Sequence, residues 1–245
     1  MVDHAQATWS TISRTVVDHA LAKGSRLNPA LLRASVERTE RWFLVQARAR
    51  LDAMGDAATI SAMTAADYLA WERTQPAKHE LHLGEVCAMA GGSPRHNFLS
   101  GAMIAELRAA LRGKGCHVLT SDQRIAAEAD RRCGYADSVV VCGPMKTEPG
   151  TSDVLANPRM IVEVLSRSTE ADDRGEKWEA YQRLASLTDY LLVAQTAARV
   201  EHYQREADGS WRYRVMSAGD AVTLANGATV AIDAVYDTAF DLAAD

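Results

Sequence analysis

Glu163 is the one charged residue in the run Met160-Ile161-Val162-Glu163-Val164-Leu165. Side chains alternate along a strand, so Glu163 shares its face with Ile161 and Leu165, while Met160, Val162 and Val164 cover the other. Neither face is polar. A carboxylate buried there must take up a proton or be matched by a cation or by hydrogen-bond donors. The segment reads either as a metal or catalytic site, or as a strand end at a sheet edge or a structural ion pair. Asp137 follows Tyr135-Ala136 and precedes Val139-Val140-Val141-Cys142, so it enters a second apolar strand as its first charged group. Two carboxylates on adjacent strands would hold a hard divalent cation, because Mg²⁺ takes oxygen ligands and keeps several waters. The alternative for Asp137 is a turn aspartate with a local hydrogen bond. Lys177 supplies a cation. Lys177, Tyr181 and Leu184 fall at i, i+4 and i+7 on one helical face, which points the lysine partly inward; a surface pair with Glu176 or Glu179 is the alternative.

The elements that must position these groups are legible in the pattern. Residues 1–55 read as two helices, Trp9 to Leu21 and, after Asn28-Pro29, Leu32 to Leu51. The second has a basic face of Arg33, Arg38, Arg41, Arg48 and Arg50, either solvated or in contact with phosphates. Thr64-Ala65-Ala66-Asp67 resembles a capping box opening a short helix that stops before Pro76. A hairpin follows, His79 to Leu83 and Glu85 to Ala90 around Gly84. Gly91-Gly92-Ser93-Pro94 then leads into a helix with Leu99, Met103, Leu107 and Leu111 at four-residue spacing. This turn is an N-cap serine with a first-turn proline, or an anion site in which Arg95 and His96 contact phosphate. Strands are expected at Cys116 to Thr120, Gln123 to Ala127, Asp137 to Cys142, Met160 to Leu165 and Tyr190 to Ala194, with a helix over about Asp173 to Leu184. Glu170, Asp172 and Asp173 would stabilise that helix's N-terminus. Hairpins turning at Asp208-Gly209 and Asn226-Gly227 complete an α/β (α+β) protein with a mixed sheet.

The chain has 245 residues, 47% of them hydrophobic, and a net charge of -5. That size buries a core without disulfides or a structural metal. The acidic balance gives no general attraction to nucleic acid, although it leaves room for a local basic groove. Cys87, Cys116, Cys133 and Cys142 lack zinc spacing and read as buried reduced thiols. With no signal pattern at the N-terminus and no apolar run of about 18 residues, a cytoplasmic location without membrane contact is expected.

Five segments in order carry a family resemblance: Glu80; Tyr135-Ala136-Asp137-Ser138-Val139-Val140-Val141; Ile161 to Glu170; Asp173-Arg174-Gly175-Glu176-Lys177; and Asp189 to Val193. Together they resemble the Uma-two family of endonucleases in the PD-(D/E)xK restriction-endonuclease-like superfamily, over about Met63 to Thr238. The resemblance implies a mixed central sheet flanked by helices over residues 60–245, with residues 1–55 as an N-terminal helical extension. It further implies that Asp137 and Glu163, aided by Glu80, bind Mg²⁺, with Mn²⁺ as substitute. The usual lysine two places after the acid is replaced by Leu165, and Lys177 matches a lysine displaced to the following helix. Ala136 and Arg167 stand where prolines are frequent, and Arg124, with Asp122, resembles a segment beside the site that binds phosphate or fixes a carboxylate. The implied activity is hydrolysis of phosphodiester bonds in nucleic acid, DNA before RNA, with a homodimer suited to duplex cleavage. The competing readings are a binding or regulatory protein that keeps the fold without cutting, and a structural module within a larger assembly. A convergent cluster of Glu80, Asp137, Glu163 and Lys177 would favour the enzyme.

Overall fold

In the computed structural model, residues 63–244 apart from 90 and 129–131 are described, with Glu128 through its backbone only. The helices expected over residues 1–55, and their arginine face, lie outside the described residues. Helix α1 (Ala65–Glu72) begins at Thr64, whose side chain accepts from the Asp67 amide as the capping pattern requires. The hairpin β1 (His79–His82) and β2 (Glu85–Ala88) turns at Gly84, where φ is +88°. Helix α2 (Pro94–Ala110) starts behind the Ser93 cap and buries Leu99, Met103 and Leu107. Burial of such side chains is worth about 1.5–3 kcal/mol each, so the residues of its first turn are firmly placed.

Next come β3 (Cys116–Thr120), β4 (Arg124–Glu128), β5 (Arg132–Tyr135), β6 (Ser138–Cys142), β7 (Val154–Leu155) and β8 (Met160–Val164). Helices α3 (Glu170–Arg174) and α4 (Glu176–Tyr181) lead to β9 (Asp189–Val193). The hairpins β10 (Arg199–Arg205)–β11 (Trp211–Ser217) and β12 (Ala221–Thr223)–β13 (Thr229–Ala231) and helix α5 (Ile232–Tyr236) close the chain. The main sheet has the order β11-β10-β9-β8-β6-β3; β8 and β9 run parallel and its other neighbours antiparallel. A second sheet has the order β2-β1-β5-β4-β7. The main sheet is thus the expected mixed one, with α2 and α5 packed on the face of Val140, Met160, Val162 and Val164. The opposite face, with Ile161, Leu165, Tyr190 and Leu192, packs against Ala180 and Tyr181 of α4.

Three expectations change. The helix expected over about Asp173 to Leu184 is two short helices broken at Gly175, where an added Cβ would lie 2.8 Å from the Ala171 carbonyl oxygen. Strands β5 and β7 were not expected; β7 is only two residues long and β5 contains Gly134, so neither displays a period. The cysteines are not four buried reduced thiols. Cys116 and Cys142 stand directly opposite each other on β3 and β6 and form a disulfide, a pairing that depends on strand register and that spacing alone does not reveal. Cys87 is free and exposed, while Cys133 is free and buried, its thiol pushed up to about 12 by burial. Among the described residues no helix is long and apolar enough to cross a membrane.

Candidate active site

The register of the sheets assembles the acidic residues. Strand β6 pairs with β8 through Ser138↔Val162 and Val139↔Ile161, and one further step sets Asp137 opposite Glu163. Like charges directly opposed destabilise an antiparallel pair, so this position must be compensated. The two carboxylates brace each other's backbone: Val164 N–H donates to Asp137 Oδ2 at 2.7 Å and Asp137 N–H to Glu163 Oε2 at 3.4 Å. The chain crosses from the second sheet to the main one through Ala136 and Asp137, which joins β5 to β6 at this point.

Glu80 arrives from the second sheet. Pairing of Leu81 with Cys133 and of His82 with Arg132 places Glu80 against Gly134. A Cβ at Gly134 would lie 2.8 Å from Glu80 Cγ, so the absent side chain is what lets Glu80 fold over β5. Its Oε1 accepts from the Tyr135 amide at 3.4 Å, and Arg132 stands 3.9 Å from Oε2.

Lys177 enters from α4 and is only 5% exposed. Its Nζ lies 3.3 Å from Glu163 Oε1, 3.1 Å from Asp173 Oδ1 and 3.6 Å from Glu80 Oε1. Tyr181, one turn on, donates to the same Glu163 Oε1 at 3.3 Å. The structure therefore brings together Glu80, Asp137, Glu163 and Lys177. It also brings in His96, whose Nε2 is 3.4 Å from Asp137 Oδ2. Gly92 permits this approach, since a Cβ there would lie 2.6 Å from the His96 ring.

Two expected phosphate contacts lie elsewhere. Arg95 is spent on backbone carbonyls, reaching Gln195 at 2.8 Å and Leu242 at 2.6 Å, and so ties the C-terminal segment to α2. Arg124 binds the carboxylate of Asp153 at 2.7 Å and lies over the Tyr135 ring, which realises the carboxylate-fixing alternative. Asp122 pairs with Lys78. The sequence reading missed Asp173, assigned only to stabilising a helix N-terminus; its spacing of four residues before Lys177 is the helical pairing interval that signals the contact. Tyr181 shares a face with Lys177 by the same rule.

The electrostatics are those of a site short of positive charge. Burial, opposed by Lys177, holds the Glu163 carboxyl well above its ordinary range, and burial raises Asp173 as well. Burial disfavours charge on Lys177 too, but Glu163 and then Glu80 outweigh it and hold the ammonium protonated well above its usual value. Three carboxylates, those of Glu80, Glu163 and Asp173, thus surround one ammonium. Among the described residues no three His, Cys, Asp or Glu side chains converge tightly enough to enclose a metal by themselves. The all-oxygen donor set of Asp137 and Glu163 fits a hard cation, which would fill its remaining positions with water or a phosphate.

A mixed sheet with paired acids on adjacent strands and a lysine returning from the next helix defines a restriction-endonuclease-like protein. The chain belongs to the Uma2 family, described as "Putative restriction endonuclease", whose pattern matches residues 65–234. It is 34% identical over 171 residues to the uncharacterized protein slr1290 of Synechocystis sp., covering 69% of this chain and 89% of the relative. It is 32% identical over 154 residues to sll1609 of the same organism, also uncharacterized, covering 63% and 87% respectively. In fold it is similar to a putative nuclease belonging to DUF820 from Anabaena variabilis, with a TM-score of 0.59 and 12% identity, covering 72% of this chain and 99% of that one.

Proposed function

We propose that this chain is a Mg²⁺-dependent endonuclease that hydrolyses phosphodiester bonds in DNA, with Mn²⁺ able to replace Mg²⁺. The observation that supports this reading is the meeting of Asp137, Glu163, Glu80 and Lys177 from separate elements within hydrogen-bonding or ion-pairing distances. Scattered groups would have favoured the binding-protein alternative. Asp137 and Glu163 hold the ion, and Glu80 adds charge from the second sheet. Bound Mg²⁺ supplies a Lewis acid for the phosphate oxygens and lowers the pKa of a coordinated water.

The chain's own residues do the rest. Lys177 donates N–H groups toward the attacking water or the phosphoryl oxygens, where negative charge grows in the transition state. Asp173 and Glu80 fix its ammonium, so little reorganisation is needed when that charge appears. Tyr181 holds Glu163 in one rotamer, and Val164 N–H does the same for Asp137. His96, beside Asp137 Oδ2, is placed to donate to that carboxylate or to a proton acceptor next to it.

The test is cleavage of supercoiled, linear and single-stranded DNA and of RNA, with Mg²⁺, Mn²⁺ or chelator. Divalent-dependent cutting of DNA that is lost in Asp137→Asn is expected. Cutting that survives chelator, or that Asp137→Asn leaves unchanged, overturns the mechanism; no cutting of any substrate returns the chain to the binding reading.

A further inference from the structure

At the carboxyl ends of β8 and β9 the surface sinks into a cleft of about 300 Å³ lined by Ser166, Arg167, Glu170, Arg174, Gln195 and Arg199, among others. Its charged lining is three arginines against one glutamate. Arg174 meets Glu201 at 2.9 Å and Glu170 at 3.3 Å, and Arg199 shares the same Glu201 at 3.3 Å. Arg167 pairs with no described residue. Each guanidinium has five N–H donors in a planar fork that fits phosphate oxygens, so these contacts leave donors over.

The cleft is built into the same framework as the acidic cluster. Its rear wall is Gln195, 4% exposed, which donates to the Leu165 carbonyl at 2.8 Å and accepts from Ser93 Oγ at 2.8 Å. Ser93 caps α2, whose first turn presents His96 to Asp137. Along the chain, Ser166 is three residues beyond Glu163, a reach of about 10 Å at ~3.3 Å per residue. Beyond Arg199, Tyr213 of β11 is 47% exposed with its hydroxyl on Glu201 at 3.1 Å. Arginine donors followed by an exposed ring are the components with which proteins track a single strand.

We infer that this cleft is a phosphate subsite: Arg167, Arg174 and Arg199 hold a backbone phosphate of the nucleic-acid strand beside the phosphodiester bond to be cut. This rests on the proposed nuclease reading and goes beyond it by fixing where the flanking strand runs. Arg174 also anchors buried Glu201, so the informative positions are Arg167, exposed and unpaired among the described residues, and Arg199, 46% exposed.

The experiment measures binding of a fluorescein-labelled oligonucleotide, single-stranded and duplex, to the full chain in chelator, so that no cutting intervenes. Arg167→Ala/Arg199→Ala should weaken affinity about tenfold, the scale of one lost charge-assisted contact. The slope of log affinity against log salt should become shallower by about 0.7 for the single strand or about 0.9 for the duplex per phosphate released. Arg108→Ala/Arg112→Ala, in the last turn of α2 and just past its end, with Arg108 about 18 Å along the helix axis from His96 at ~1.5 Å per residue, should leave both unchanged. Wild-type affinity and slope in the cleft variant, or an equal loss in the control variant, overturn the subsite while leaving the nuclease reading standing. A wild type that binds neither oligonucleotide overturns both.

Discussion

Replacing Lys177 by methionine keeps an unbranched side chain of similar length and deletes the one ammonium among Glu80, Glu163 and Asp173, at 3.6, 3.3 and 3.1 Å. Removing one partner of a buried ion pair costs about 3–5 kcal/mol, because the remaining charge is left without compensation. Here the cost is tempered by protonation, since burial already pushes Glu163 and Asp173 upward. About 3 kcal/mol is therefore expected near neutral pH, and less in acid. For a protein of 245 residues that is a fall in Tm of roughly 6–12 °C. On the proposed metal site Mg²⁺ would supply replacement charge, and a ligand that binds only the folded form returns about 2.7 kcal/mol at a hundredfold excess over Kd. The gap in Tm between Lys177→Met and wild type should thus narrow when Mg²⁺ is added. Cleavage should not recover with it: loss of one transition-state contact leaves single-turnover rates about 10²–10³-fold down. Lys177→Arg should rescue poorly, because a planar guanidinium does not replace a compact ammonium. Melts with and without Mg²⁺, together with single-turnover cleavage, decide the matter. A Lys177→Met variant that cuts at the wild-type rate refutes the catalytic assignment, and a Tm gap indifferent to Mg²⁺ refutes the shared-charge argument.

Gly134→Ala should displace Glu80, whose Cγ the new methyl would approach to 2.8 Å, at a stability cost of about 1–3 kcal/mol. Cleavage should fall by the same factor as in Glu80→Ala, and the double variant should be no worse than either; additive losses would contradict the steric coupling. The raised carboxyl of Glu163 makes a signed pH prediction. The folded state binds more protons than the unfolded one, so this group's stability contribution is full below about pH 4.3 and is lost as pH rises through the folded value. In chelator, wild type should lose stability relative to Glu163→Gln across that window in urea melts at several pH values; a flat difference would show that Glu163 is not held protonated.

What the sequence made legible was governed by local period and by turn chemistry. The alternation in Met160 to Leu165 sorted Glu163 with Ile161 and Leu165, and the structure keeps that sorting across two separate cores. The turns at Gly84, Asp208-Gly209 and Asn226-Gly227 lie where the hairpins turn. What was not legible depended on partners distant in sequence. The Cys116–Cys142 bond follows from the β3–β6 register, and Arg95 is drawn to carbonyls about a hundred and a hundred and fifty residues away rather than to phosphate. Asp173 was within reach of the sequence, but its charge matched a helix N-terminus so well that its pairing with Lys177 was overlooked.

The displaced lysine has a packing logic. Position 165 lies on the Glu163 face, but one step past β8 the chain enters the apolar cluster formed with Ala180, Tyr181 and Leu187. A lysine at 165 would have to thread its charge back through that cluster and would take the place of an apolar side chain whose burial is worth about 1.5–3 kcal/mol. A lysine on α4 approaches the same carboxylate from above, with Asp173 one turn before it and Tyr181 one turn after it on a common face. Its neighbours are then set by helical spacing instead of by a strand terminus. Glycine at 175 permits the break between α3 and α4, since an added Cβ there would lie 2.8 Å from the Ala171 carbonyl oxygen. The chain thus separates two demands that a lysine on the strand would have to meet at once: an apolar floor beneath the acids, and a cation fixed above them.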